Sequence, residues 1–198
     1  MNKEELGYLG LLLDFDRPTN LASWFQSALL LLSSLLLLII YKIKKDTKNK
    51  FYFHWFVLSV IPIFLSMDKI MSFHNVFIEI AKVVSEAQGL AHYILIIGIT
   101  SLIYTFIVVY LALHDDMPKS TQIFLFIAFA IYLEGAIGIE LIKQKFISLE
   151  TYSHFAYYLL LSIREFLETS GVIVLIYALI SYISNHIRDI QFLIEDRI

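Results

Sequence analysis

Six ionisable side chains stand in otherwise apolar surroundings: Asp68, Glu134, Glu140, Arg164, Glu165 and Glu168. Their contexts read FLSMDKI, IYLEGAIGIEL and LLLSIREFLETSG. Carboxylates joined by an imidazole from neighbouring helices are ligands for iron, manganese or zinc. Asp68, His74, Glu140, Glu165 and Glu168 would make such a set. The same acids, with Lys69, Glu134 and Arg164 added, could instead neutralise one another in a buried network that fixes helix packing. A third chemistry is a cation path, since rings of Asp or Glu in an oligomer select cations. The network is the favoured reading and the metal site its alternative. The cation path ranks third, because no polar stripe continues toward the other end of the apolar segments.

Helical spacing limits which groups can meet. Arg164 and Glu168 are four apart and pair on one face, and Glu165 and Glu168 are three apart on that same face. Glu165 then needs a partner from elsewhere. Glu134 and Glu140, six apart, diverge by about 120° on a straight helix, and so do Asp68 and His74. Gly135 and Gly138 offer a small surface that lets another helix approach closely.

The elements that must hold these groups are five apolar segments, at about 21–41, 51–68, 90–113, 123–142 and 155–183. Each approaches the roughly 20 residues needed to cross a bilayer's hydrocarbon layer. Residues are 59% hydrophobic and only 17% charged, and mean hydropathy is +0.74. Soluble domains carry about 25% charged residues. The expected fold is therefore an all-α integral membrane protein, a single domain of about five transmembrane helices with short amphipathic helices outside the spans. Pro62 falls inside the second span, where a kink is expected. One amphipathic helix is expected at 70–87, where Ile70, Phe73, Phe77, Ile80 and Val84 share a stripe. A charged tail follows at 184–198, read either as an interfacial helix or as an extension of the fifth span. A charged side chain at mid-span costs about 2.5–3.5 kcal/mol, so the ionisable six need partners, a cavity or protonation.

Lys42, Lys44, Lys45, Lys48 and Lys50 crowd the first joint. The positive-inside rule then places the N-terminus outside and the C-terminus in the cytoplasm, with all six ionisable groups in the outer half or at the midplane. MNKEELGYLG lacks the pattern of a cleaved signal peptide. A net charge of −3 gives no basic field for nucleic acid, and zero cysteines exclude disulfides, thiolate catalysis and Cys-ligated zinc. His54 and His92 lie near span ends, and His154 sits in an aromatic belt with Tyr152, Tyr157 and Tyr158. His114, Asp115 and Asp116, in the joint HDDMPKS, read as solvated turn residues. The sequence contains no catalytic Ser-His-Asp pattern, phosphate-cradling glycine loop or dinucleotide fingerprint.

The segments DFDRPTNLASWFQSALLLL, FLSMDKIMSFHN, LEGAIGIE and LLSIREFLETSG occur in that order. Together they resemble a family of uncharacterised bacterial multi-pass membrane proteins with L-S-L-D-E-x4-H-E and E-E-x2-E-x2-G motifs. The resemblance covers nearly the whole chain and implies a membrane fold but brings no activity. It sets Asp68, His74, Glu140, Glu165 and Glu168 on the family's acidic and histidine positions. Lys69, Asn75 and Arg164 replace three of its glutamates, which implies an ion-pair network in place of a metal cluster.

The expected function is a non-enzymatic, homo-oligomeric sensor, anchor or scaffold in the bacterial inner membrane. A cytoplasmic partner would be met through 42–50, 114–120 and 184–198. Abundant Phe (16) and Tyr (12) beside scarce Gly (7) and Pro (3) match AT-rich, horizontally acquired genes, including those of phage-defence islands. The alternatives are a metal-dependent intramembrane enzyme and a cation channel.

Overall fold

A computed structural model describes residues 20–73, 88–139, 141–142 and 154–195. They form helices with no strand among the described residues: α1 (Leu21–Asp46), α2 (Tyr52–Met71), α3 (Gln88–Ala112), α4 (Lys119–Leu133) and α5 (His154–Glu195). Four helical stretches are long and apolar enough to cross a membrane: Leu21–Asp46, Tyr52–Met71, Lys119–Gly138 and Phe155–Asn185. The fifth helix, α3, contributes an apolar stretch at Thr100–Ala112. The chain is an all-α membrane protein. The expected amphipathic helix at 70–87 falls mostly outside the described residues.

Helix α1 starts where Asn20 accepts a hydrogen bond from the Ser23 N–H at 2.8 Å, supplying one of the partners a helix N-terminus lacks. It runs past the expected Tyr41 to Asp46, so Lys42, Lys44 and Lys45 stand on the helix rather than in a joint. Its buried face repeats at helical spacing through Ser23, Gln26, Ser27, Leu30, Ser33, Ser34, Leu37, Ile40 and Lys44. Within a bilayer lipid tails are as apolar as leucine, so close packing and hydrogen bonds drive helix association. The serines serve both needs. Ser27 Oγ and Ser66 Oγ lie 2.7 Å apart, and Ser34 Oγ donates to the Ser59 carbonyl at 2.8 Å. That second bond reaches α2 one turn before Pro62, where the ring disturbs the backbone ladder.

Helix α2 ends where Ser72 adopts a left-handed conformation (φ 49°) and returns its N–H to the Asp68 carbonyl. The α-helix of the second span therefore ends at Met71. Helix α4 passes at Glu134–Gly138 into a short π-helical segment. Gly171 seats α5 against α4, because a Cβ there would come within 3.0 Å of the Tyr132 and Ala128 backbone. With 42 residues, α5 is about 63 Å long, twice the roughly 30 Å hydrocarbon layer. The fifth span thus continues as an unbroken helix into the tail.

The buried core gathers Leu37, Ile40, Trp55, Leu113, Leu179 and Tyr182 at one end of the bundle. Helix α3 joins α4 mainly through rings, with Phe106 stacked on Phe129 at 3.7 Å between centroids. Outward faces carry Phe25, Leu35, Phe64, Tyr104, Phe126 and Phe166, as a lipid-facing surface requires.

Candidate functional site

Three helices converge on a polar cluster: α1 with Gln26, α2 with Lys69, and α5 with Arg164, Glu165, Glu168 and Thr169. Glu168 is only 1% exposed and Glu165 7%, so each charge needs a counter-charge. Arg164 Nε donates to Glu168 Oε1 at 3.0 Å across one helical turn. Lys69 is ion-paired with Glu168 Oε2 and lies 3.8 Å from Glu165 Oε1. One carboxylate is thus held by two cations from two helices. A buried arrangement of this kind is costly to break, because the remaining charge loses its partner.

Gln26 completes the cluster from α1. Its Nε2 donates to the Glu165 carbonyl and to Thr169 Oγ1, both at 2.9 Å. Two buried acceptors are left: Gln26 Oε1 and Glu165 Oε2 meet no hydrogen-bond partner among the described residues. Gly135 admits this geometry, since a Cβ there would press on Glu168 Cγ and N at 2.9 and 3.0 Å.

Lys69, Arg164, Glu165 and Glu168 are thus brought together, and helical spacing alone identified the Arg164–Glu168 pair. Asp68 is half-buried on α2 beside Lys69. Glu134 is exposed, its carboxylate folded over Gly138 of the same segment. Gly135 therefore meets a second helix as expected, whereas the atoms nearest a Cβ at Gly138 belong to Glu134 of the same segment. His74 and Glu140 lie outside the described residues. Among the described residues no three His, Asp or Glu side chains form a group fit to hold a metal ion. The most buried candidate ligand, Glu168, is already ion-paired with Lys69 and Arg164.

A second polar centre lies at the opposite end. Asp116 accepts from Lys44 Nζ at 2.9 Å, from Asn49 Nδ2 at 2.8 Å and from Trp55 Nε1 at 3.1 Å. The Trp55 ring stacks on Tyr182 at 5.0 Å between centroids, and Lys44 Nζ sits 5.6 Å from the Tyr182 ring centre. These contacts tie the α1–α2 joint, the α3–α4 joint and α5 together. The expectation of solvated turn residues therefore holds for the exposed His114 and Asp115 but not for Asp116. Its side chain is 7% exposed and that of Lys44 5%. Nothing in the sequence signals this, because three donors 61 to 72 residues before Asp116 converge on its one carboxylate.

Between the two polar ends lies an apolar cavity of ≈ 80 Å³. All five helices line it, among them Leu30, Pro62, Phe106, Ala128, Tyr132 and Val172. It is partly open.

Both ends of the bundle carry charge pairs, and the cavity between them is lined by apolar side chains. No curated protein and no solved structure gives a significant match to the chain. A family model does match, over residues 8–183, which include both polar centres and the cavity. The chain belongs to the family described as Domain of unknown function (DUF8692).

Proposed function

We propose that this chain is a non-enzymatic subunit of the bacterial inner membrane, a homo-oligomeric sensor, anchor or scaffold that works with a cytoplasmic partner. The observation that carries this reading is the neutralisation of Glu168 by Lys69 and Arg164. A carboxylate fully engaged by two fixed cations is a poor general base and a poor metal ligand, and a good lock between helices. Asp116 is engaged in the same way by Lys44. The lysine-rich first joint supports placing the Lys44–Asp116 end in the cytoplasm, with the N-terminus outside. That end also carries the 114–120 joint and the extension of α5, surfaces on which a soluble partner would dock. The composition suits a phage-defence or stress-response setting.

Metal analysis and assembly state test the proposal together. Protein purified without chelator is expected to carry no stoichiometric iron, manganese or zinc, and to run as a defined oligomer in mild detergent. Arg164→Ala is expected to weaken or dissociate that oligomer. Stoichiometric metal would shift the assignment to an enzyme. Ion flux in liposomes that changes with Glu134→Gln or Glu165→Gln would shift it to a channel. A monomer whose stability ignores Arg164→Ala would end the scaffold reading.

A further inference from the structure

Helix α3 carries no Asp, Glu, Lys or Arg and meets the bundle along one side, where Val109 is buried and Phe106 stacks on Phe129. Its other side faces outward. There Ile97, Ser101, Tyr104, Val108 and Leu111 are exposed and follow one another at alternating intervals of four and three residues. Such a seam suits pairing with another helix at a shallow left-handed crossing. The hydroxyls of α3 divide into two groups. Thr100 and Thr105 turn theirs back on their own helix, to the Ile97 and Ser101 carbonyls at 3.1 and 2.9 Å, and Tyr110 reaches the Gln122 carbonyl of α4 at 3.2 Å. Ser101 Oγ and the Tyr104 hydroxyl, both on the seam, make no hydrogen bond among the described residues.

Tyr104 is 70% exposed, and its depth makes that exposure costly. It stands eight residues before the end of α3 at Ala112 and sixteen after its start at Gln88, about 12 and 24 Å along the axis. Helical side chains lean toward the N-terminus, so the hydroxyl tilts away from the nearer end and into the hydrocarbon. Lipid tails offer it no acceptor, and an unpaired hydroxyl there is unfavourable. A second copy of the same helix supplies what is missing. Copies inserted the same way round are related by a two-fold axis along the membrane normal, which sets equal depths opposite each other. Ser101 lies about 4.5 Å from Tyr104 in depth, on the side toward which Tyr104 leans. Donor and acceptor on one face, a turn apart, make that face complementary to itself. An unrelated helix would need a matching donor and acceptor at the same depth.

We propose that the outward face of α3 is the contact between two copies of this chain, closed by reciprocal hydrogen bonds from Tyr104 of each copy to Ser101 of the other. Ile97, Val108 and Leu111 pack on either side of the bonded pair. The inference rests on the homo-oligomeric reading and names the surface that makes the oligomer; an oligomer held by another face would leave that reading standing.

The test begins with disulfide cross-linking of the full chain in membranes, one introduced cysteine at a time, since the chain has none of its own. A two-fold axis sets each seam residue opposite itself, so Ile97→Cys and Val108→Cys are expected to give a covalent dimer on oxidation with copper phenanthroline. Leu35→Cys on α1 and Ile173→Cys on α5, which also face outward, are expected to stay monomeric. Energy transfer between labelled copies in mild detergent then measures the dissociation constant. Tyr104→Phe and Ser101→Ala are each expected to raise it about tenfold, the worth of two hydrogen bonds between membrane helices. The double variant is expected to raise it no further, because each change removes the same pair of bonds. Both side chains are exposed, so the bundle is expected to keep its helical circular dichroism in all three. The interface would be overturned if Leu35→Cys or Ile173→Cys cross-linked as well as the seam. It would be overturned equally if Val108→Cys joined a different protein, if Tyr104→Phe left the dissociation constant unchanged, or if the two effects multiplied in the double variant. Any of these results in a chain that still forms an oligomer ends the α3 contact alone. A chain that shows no energy transfer at all ends the scaffold reading with it.

Discussion

Glu168 and Asp116 occupy equivalent positions at opposite ends of the bundle, each a buried carboxylate that draws distant segments together. Removing either takes a buried counter-charge from its partner cations. Glu168→Ala is expected to cost about 3–5 kcal/mol, as broken buried pairs do, seen as a fall in thermal midpoint in detergent. Asp116→Ala takes the counter-charge from Lys44 and the acceptor from the Trp55 N–H and is expected to cost a similar amount. The adjacent, exposed Asp115 supplies the control: Asp115→Ala is expected to stay within about 0.5 kcal/mol. Equal effects at the two aspartates would contradict the burial described for Asp116. At this scale the sequence was only partly legible. Four-residue spacing was enough to pair Arg164 with Glu168, because both lie on one helix. The partners of Lys69 and Asp116 come from other helices and depend on how those pack. Gln26 was overlooked because it carries no charge, although a lone glutamine within a long leucine-rich run is itself a reason to expect a hydrogen-bonded contact between helices.

Among the elements, the contact of α4 and α5 depends on glycines with different neighbours. A methyl group at Gly171 would collide with the Tyr132 and Ala128 backbone, and backbone cannot yield cheaply. Gly171→Ala is expected to destabilise by about 1–3 kcal/mol, the usual cost of overpacking. At Gly138 the nearest atoms belong to the Glu134 carboxylate, which can swing away. Gly138→Ala is expected to be near neutral, and thermal unfolding of the two variants side by side checks the contrast. Hydropathy made the spans legible, since long apolar runs admit few alternatives in a bilayer. It did not reveal the π-helical segment at Glu134–Gly138, which depends on how α4 fits α5. Nor did it show that α1 continues to Asp46: lysines end an apolar run without ending a helix.

For the whole molecule, the two polar centres and the alternation of the helices make topology directly measurable. The chain has no cysteine, so single cysteines report without background. Lys48→Cys is expected to resist a membrane-impermeant maleimide applied to intact cells, and Ser72→Cys to react. The reverse pattern would invert the orientation while leaving the fold unchanged. The two joints and the α5 extension would then face outward together, because Asp116 and Tyr182 hold them at one end.

The distribution of partners along the chain also has a consequence for biosynthesis. Lys44 is made long before Asp116, and Gln26 and Lys69 long before Glu165, Glu168 and Thr169. The first hairpin therefore enters the bilayer before Lys44, Gln26 and Lys69 have met these later partners. It has to be sheltered, by water at the interface or by the insertion machinery, until the last helix emerges from the ribosome. A nascent chain cut short before α5 leaves Gln26 and Lys69 without these α5 partners, which gives membrane proteolysis a clear mark for incomplete copies.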